Sequence, residues 1–228
     1  KPLEEGAQIA YSLKTAETNL EDLQAISGNP TNWDSTWVLY DGQKVGYAEG
    51  KFFVDTSAPA GHIHCLCGNT TNAGITCADC GSKAVEWTEW EATDTLPTAS
   101  GHYCLTGDVT TGAVTVTDGA NVALCLHGND IISKNGWKLI NVEKGATVTI
   151  TDCASEPGSI TGASKDTYGL ALRVNEGGVL NLYGGTISGG KAAGVGGSIY
   201  ASNCKMELAG GTIDGDVNVT ESTQLTLS

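Results

Sequence analysis

The feature that most limits what this chain can fold into is one short phrase written repeatedly toward its end. GATVTITD at 145–152, GGVLNLYGG at 177–185, CKMELAGG at 204–211 and TQLTLS at 223–228 all alternate apolar and polar residues, and GANVALCLHGNDI at 119–131 is an earlier copy. In three places a Gly-bearing turn leads to a lone isoleucine: Ile160, Ile187 and Ile213. Shorter alternating pieces precede the copies, LINV at 139–142, ALRV at 171–174 and DVNV at 216–219. Val142 stands six residues before Val148, Val174 six before Leu180 and Val219 six before Leu225. SIYA at 198–201 is out of step by one, which predicts a bulge in that copy.

Each copy has too little apolar surface to fold alone, so it buries its Val, Leu and Ile by stacking on its neighbours. Alternation of period two puts Val148 with Ile150, and Leu180 with Leu182, on one face, and turns Thr149 and Asn181 to the other. The drifting spacing between copies argues for a solenoid and against a closed propeller. The expected fold class is mainly β: a right-handed parallel β-helix over 101–228, since crossovers between parallel strands are nearly always right-handed. The pattern stops in mid-phrase at LTLS, leaving an edge open to strand addition. The β-helix is therefore expected to be truncated at its C-terminus, with further domains in a longer chain.

Residues 1–60 carry no repeat and read as a small α+β unit. Ile9, Tyr11 and Leu13 alternate as in a half-buried strand, and 18–28 reads as a helix with a Thr18/Glu21 capping box and Gly28 as its stop. WVLY, Asp41-Gly42 and KVGY predict a hairpin, and KFFV at 51–54 a further strand. Residues 83–100, with Trp87 and Trp90, read as a linker whose tryptophans cap the first repeat. Twenty-six acidic against twelve basic residues give a formal charge of −14, with Arg173 the single arginine. Such a chain lacks the basic stripe that neutralises phosphates, which excludes a nucleic-acid partner. No apolar run reaches the roughly 20 residues of a membrane span, so no membrane insertion is expected.

The most chemically specific words are HIHCLCGNTTNAGITCADC at 62–80, a knuckle-like motif within 61–82. Cys65 and Cys67 form a C-x-C, Cys77 and Cys80 a C-x2-C, with His62 and His64 alongside as substitute ligands. Paired thiolates from two facing loops can close a tetrahedral shell around zinc. A loop this short builds no core of its own, so a structural zinc would supply the folding energy. Two disulfides are the alternative, and four protein ligands leave no position open for catalysis. Both histidines read otherwise as solvated loop residues. Cys104, Cys125, Cys153 and Cys204 fall one to a repeat, with Cys125 aligned over Thr151 and His127 over Cys153, so that no two cysteines stack.

The order HCLCG, paired Cys, WTEW, TLPTASGHYCLTGDVT, VALCLHGNDI, VEKGATVTITDC and GSITG resembles the large repeat-built surface proteins of gut Firmicutes, over about residues 62–216. The resemblance implies a secreted or cell-wall-attached, multi-domain, adhesin-like protein with a β-helix module of the pectate-lyase-like superfamily. It further implies, as partner, a host secreted protein such as immunoglobulin or mucin, or a glycan. The resemblance does not cover the first sixty residues.

Enzymes of that superfamily need several carboxylates on one face and a base, or aspartates set for acid and base work. The acidic groupings here are Asp152 with Asp166, and Asp214 with Asp216, the latter straddling Gly215 in one turn. Arg173 sits between inward Leu172 and Val174 and so points outward, and no nucleophile-elbow word occurs. His102 and His127 read as turn residues. The sequence points to a non-catalytic module; a pure spacer and a polysaccharide lyase or hydrolase are the alternatives.

Overall fold

The structure is a computed structural model that describes residues 11–13, 38–40, 43–48, 51–54, 62–69, 74–134, 138–162, 170–189, 197–220 and 222–227. The chain divides into two compact units, one of Lys1–Cys65 with Thr70–Glu86 and one of Leu66–Asn69 with Trp87–Ser228. The described residues are strands, turns and loops without a helix, and none offers a helix long and apolar enough to cross a membrane.

In the first unit, Tyr11–Leu13 pairs in parallel with Val38–Tyr40. Tyr40 then stands opposite Gln43 in an antiparallel pair, the hairpin expected around Asp41-Gly42. Gln43–Ala48 pairs in turn with Lys51–Val54, where Val45 and Phe52 are buried and the Tyr47 and Phe52 rings lie 4.7 Å apart. The helix expected at 18–28 lies outside the described residues.

The second unit is built from three parallel sheets that the chain visits in rotation. The first sheet takes Gly101–Leu105, Asn121–Cys125, Thr147–Thr151, Val179–Leu182, Lys205–Leu208 and Gln224–Leu227. The second takes Val109–Thr111, Ile131–Ser133, Ser159–Thr161, Thr186–Ser188 and Thr212–Asp214. The third takes Val114–Val116, Ile140–Val142, Leu172–Val174, Ile199–Ala201 and Val217–Val219. Every strand pairs with its counterpart one repeat away, an arrangement compatible with a β-helix.

Registry explains why the copied phrases read alike. Ile131, Ile160, Ile187 and Ile213 form one column of the second sheet. Val122, Val148, Leu180, Met206 and Leu225 form a column of the first. Most of these side chains meet in one apolar cluster, since a β-branched or branched residue pointing inward packs against its equivalents above and below. The turns between third and first sheets stack too: the Gly119 N–H donates to the Gly145 carbonyl, Gly145 to Gly177, and Gly177 to Asn203. Gly145 takes φ 76°, the left-handed region that glycine enters without strain.

The bulge expected at 198–201 is absent. Ile199, Tyr200 and Ala201 pair in unbroken register with Leu172–Val174 on one side and Val217–Val219 on the other. The missing residue comes out of the following turn, where Asn203 takes the left-handed position at φ 49° that Gly119, Gly145 and Gly177 hold in the preceding copies and Ser222 holds in the next. The stretch read as a linker also contains a strand: Val85–Trp90 runs parallel to Gly101–Leu105, with Thr88 opposite Tyr103 and Trp90 opposite Leu105. Trp90 packs on the edge of Tyr103 at 5.6 Å and against the apolar cluster, so it extends the stack as a rung.

Candidate functional site

The knuckle begins with a tight turn. The Cys77 N–H donates to the Ser82 carbonyl and the Gly81 N–H to the Cys77 carbonyl, while Thr76 bridges Lys83. This fold-back brings the C-x2-C pair toward Cys65: the sulfurs of Cys65, Cys77 and Cys80 lie within 4.8 Å of one another. Cys65 and Cys77 are buried, Cys80 is half-buried, and the Cys80 Sγ sits 2.9 Å from Ser82 Oγ. Cys67 follows Cys65 by two residues, a span of at most about 7 Å of chain, so covalent geometry alone keeps it close to Cys65. Thiols gathered this way can hold a metal ion. No disulfide joins any of the eight cysteines in this structure.

The two histidines differ from their sequence reading. They lie on the strand His62–His64, not in a solvated loop, with His64 fully buried and the rings 4.8 Å apart edge to face. The His64 Nδ1 is 2.6 Å from the Cys65 carbonyl oxygen, which accepts its N–H in the Nδ1 tautomer. The thiol cluster that unites Cys65, Cys77 and Cys80 contains neither imidazole.

In the second unit the Asp152 carboxylate has structural work. The Asp152 carboxylate accepts N–H groups from Gly128 at 3.2 Å, Ala154 at 2.8 Å and Gly158 at 2.8 Å, tying the 152–158 loop to the turn below it. Asp214 is exposed, and its carbonyl oxygen accepts the Ser198 hydroxyl at 2.8 Å. Asp166 lies outside the described residues. Leu172 and Val174 are buried and Arg173 is half-buried, its guanidinium 5.6 Å from the Tyr200 ring centroid. Thr115, Asn141, Arg173, Tyr200 and Asn218 are register neighbours along the outward side of the third sheet.

Two side chains were misplaced by sequence alignment. Cys104 and Cys125 do stack, as direct register partners on neighbouring strands, whereas Cys125 over Thr151 is as aligned. His102 lies in the strand Gly101–Leu105, edge-on to Trp87 at 5.2 Å, and burial pulls its pKa below the ordinary imidazole value. His127 is a turn residue, at φ 51°. No family model matches the chain, and no curated protein or solved structure is detectably similar to it.

Proposed function

We propose that this chain is a non-catalytic, extracellular binding module of a bacterial cell-surface protein. Its second unit is a right-handed parallel β-helix, and it recognises a host secreted protein such as immunoglobulin or mucin, or a glycan. Cys65, Cys67, Cys77 and Cys80 hold a structural zinc ion, a role suited to thiolate donors and a loop without a core of its own. The observation that carries the binding reading is the outward row of the third sheet. One polar or aromatic side chain per repeat, Thr115, Asn141, Arg173, Tyr200 and Asn218, stands in a straight line. Parallel strands space such groups about 4.8 Å apart, a repeat against which an extended partner can register.

The row combines an aromatic face, a guanidinium and the Asn218 carboxamide, the donors and stacking surfaces by which sugars and protein loops are held, while the buried Asn141 donates to the Val114 carbonyl at 3.3 Å and steadies the sheet. The Arg173–Tyr200 contact pre-sets both long side chains and lowers the entropy lost on binding. Asp152 is occupied by backbone N–H groups, which suits a scaffold role better than proton transfer. The test is to immobilise the chain and pass immunoglobulin, mucin and plant polysaccharides over it, with Tyr200→Ala as control. Saturable binding that Tyr200→Ala weakens supports the proposal. Silence toward all three makes the module a spacer, and new unsaturated or reducing ends from a uronate-rich polymer would make it an enzyme.

A further inference from the structure

We propose that Cys104, Cys125, Cys153 and His127 form a second metal centre that takes a soft divalent ion of the zinc class. Three successive passes of the chain supply its donors. Cys104 and Cys125 are register partners on adjacent strands of the first sheet. The Cys125 Sγ lies 3.5 Å from the Cys153 Sγ, and the His127 Nδ1 lies 3.2 Å from that same sulfur. The ring nitrogen of His127 and the Cys104 sulfur are within 4.8 Å of each other. Each of the four donors thus has another of the set as its neighbour. Zinc–sulfur bonds of about 2.3 Å in a tetrahedron separate sulfurs by about 3.8 Å, close to the 3.5 Å between Cys125 and Cys153.

Cys104 and Cys125 alternate away from Tyr103 and from Val122 and Leu124, so they face the opposite side of the sheet from the apolar cluster, and both are buried there. Thiols buried beside one another and beside an imidazole suit a metal shell. Two devices aim the outer donors. His127 is held at φ 51° ahead of Gly128 at φ 76°, and the Asp152 carboxylate, by accepting the Gly128 and Ala154 N–H groups, holds Cys153 against the imidazole. Such outer hydrogen bonds commonly orient metal ligands. Cys153 is half-buried and His127 exposed, which leaves the ion a way in.

The test counts zinc in the full chain, purified under reducing conditions without added metal, and repeats the count in Cys125→Ser/Cys153→Ser and in Cys77→Ser/Cys80→Ser. With both centres filled, wild type carries about two zinc ions and each double variant about one. If the knuckle holds none, Cys77→Ser/Cys80→Ser matches wild type and Cys125→Ser/Cys153→Ser falls to zero, which separates failure of that reading from failure of this one. A wild-type zinc count in Cys125→Ser/Cys153→Ser overturns the proposal. So does a Cys125–Cys153 disulfide, two hydrogens lighter, in peptides of the reduced-buffer preparation. Because the double variant risks misfolding, His127→Gln, at an exposed turn, is the second probe. It should weaken zinc retention against a chromophoric chelator by about tenfold or more and shift the thiolate-to-cobalt bands of the Co(II)-loaded chain. Unchanged retention and spectrum would also overturn the assignment.

Discussion

Leu182 and Leu227 occupy the same column of the first sheet, two rungs apart, and meet opposite environments. Leu182 is 1% exposed and Leu227 is 72% exposed, although the phrases around them, VLNL and QLTL, alternate identically. Ile150, one rung the other way, is fully buried. Val219, at the matching end of the third sheet, is 44% exposed, while its counterpart Val142 is fully buried. The difference teaches that an inward residue here is buried by the rungs on both sides of it. Stability in such an array is a sum over neighbour interfaces, so the same substitution should cost different amounts at different rungs.

The sharpest way to break that comparison is to truncate matched residues. Ile150→Ala should destabilise the repeat unit by about 3–4 kcal/mol, the transfer loss plus an unfilled cavity. Leu227→Ala should stay within about 0.5 kcal/mol. Urea midpoints of the two variants make the check, and equal costs would show that stacking does not determine burial.

Glycines give a second contrast of this kind. A Cβ at Gly158 would collide with the Asn129 backbone in the rung below, whereas one at Gly107 meets nothing within 4 Å. Gly158→Ala is expected to cost about 2–3 kcal/mol and Gly107→Ala less than about 0.5 kcal/mol, read as the same midpoint shifts. Asp152→Ala comes next, at about 2 kcal/mol, because it leaves the Gly128, Ala154 and Gly158 N–H groups without their carboxylate.

The smallest effect is a pH slope at the first rung. Burial lowers the folded pKa of His102, so as pH falls the unfolded chain takes up its proton first. Stability from this group is whole above the unfolded pKa of about 6.5 and declines as pH drops from there to the folded pKa, levelling off below it. Denaturation of wild type and His102→Gln between pH 7 and pH 5 measures it. The variant should show the shallower loss.

What was legible beforehand follows the same division between local and neighbour-made features. The isoleucine column and the Val–Leu columns could be read because period-two alternation and Gly turns are written within a few residues of each other. The hairpin at Asp41-Gly42 was legible for the same reason. The place of the missing residue near SIYA was not, because a strand bulge and a short turn give the same count, and only the pairing of Tyr200 on both sides separates them. The Cys104–Cys125 stack was hidden because the GHYCL rung lacks the glycine turn that aligned the later copies. Asp152 looked like a candidate acid because its N–H partners come from residues 24 below and two and six above it, a convergence no local pattern spells out.

The most direct measurement on the stacked repeats is dipolar EPR between bioorthogonal spin labels on the outward row of the third sheet. Thr115 would be labelled together with Arg173, then Tyr200, then Asn218, which stand two, three and four rungs away. Parallel stacking predicts mean distances that grow by about 4.8 Å with each rung. A distance that failed to grow, or that shortened between Tyr200 and Asn218, would contradict the parallel rungs and with them the continuous face on which recognition is proposed.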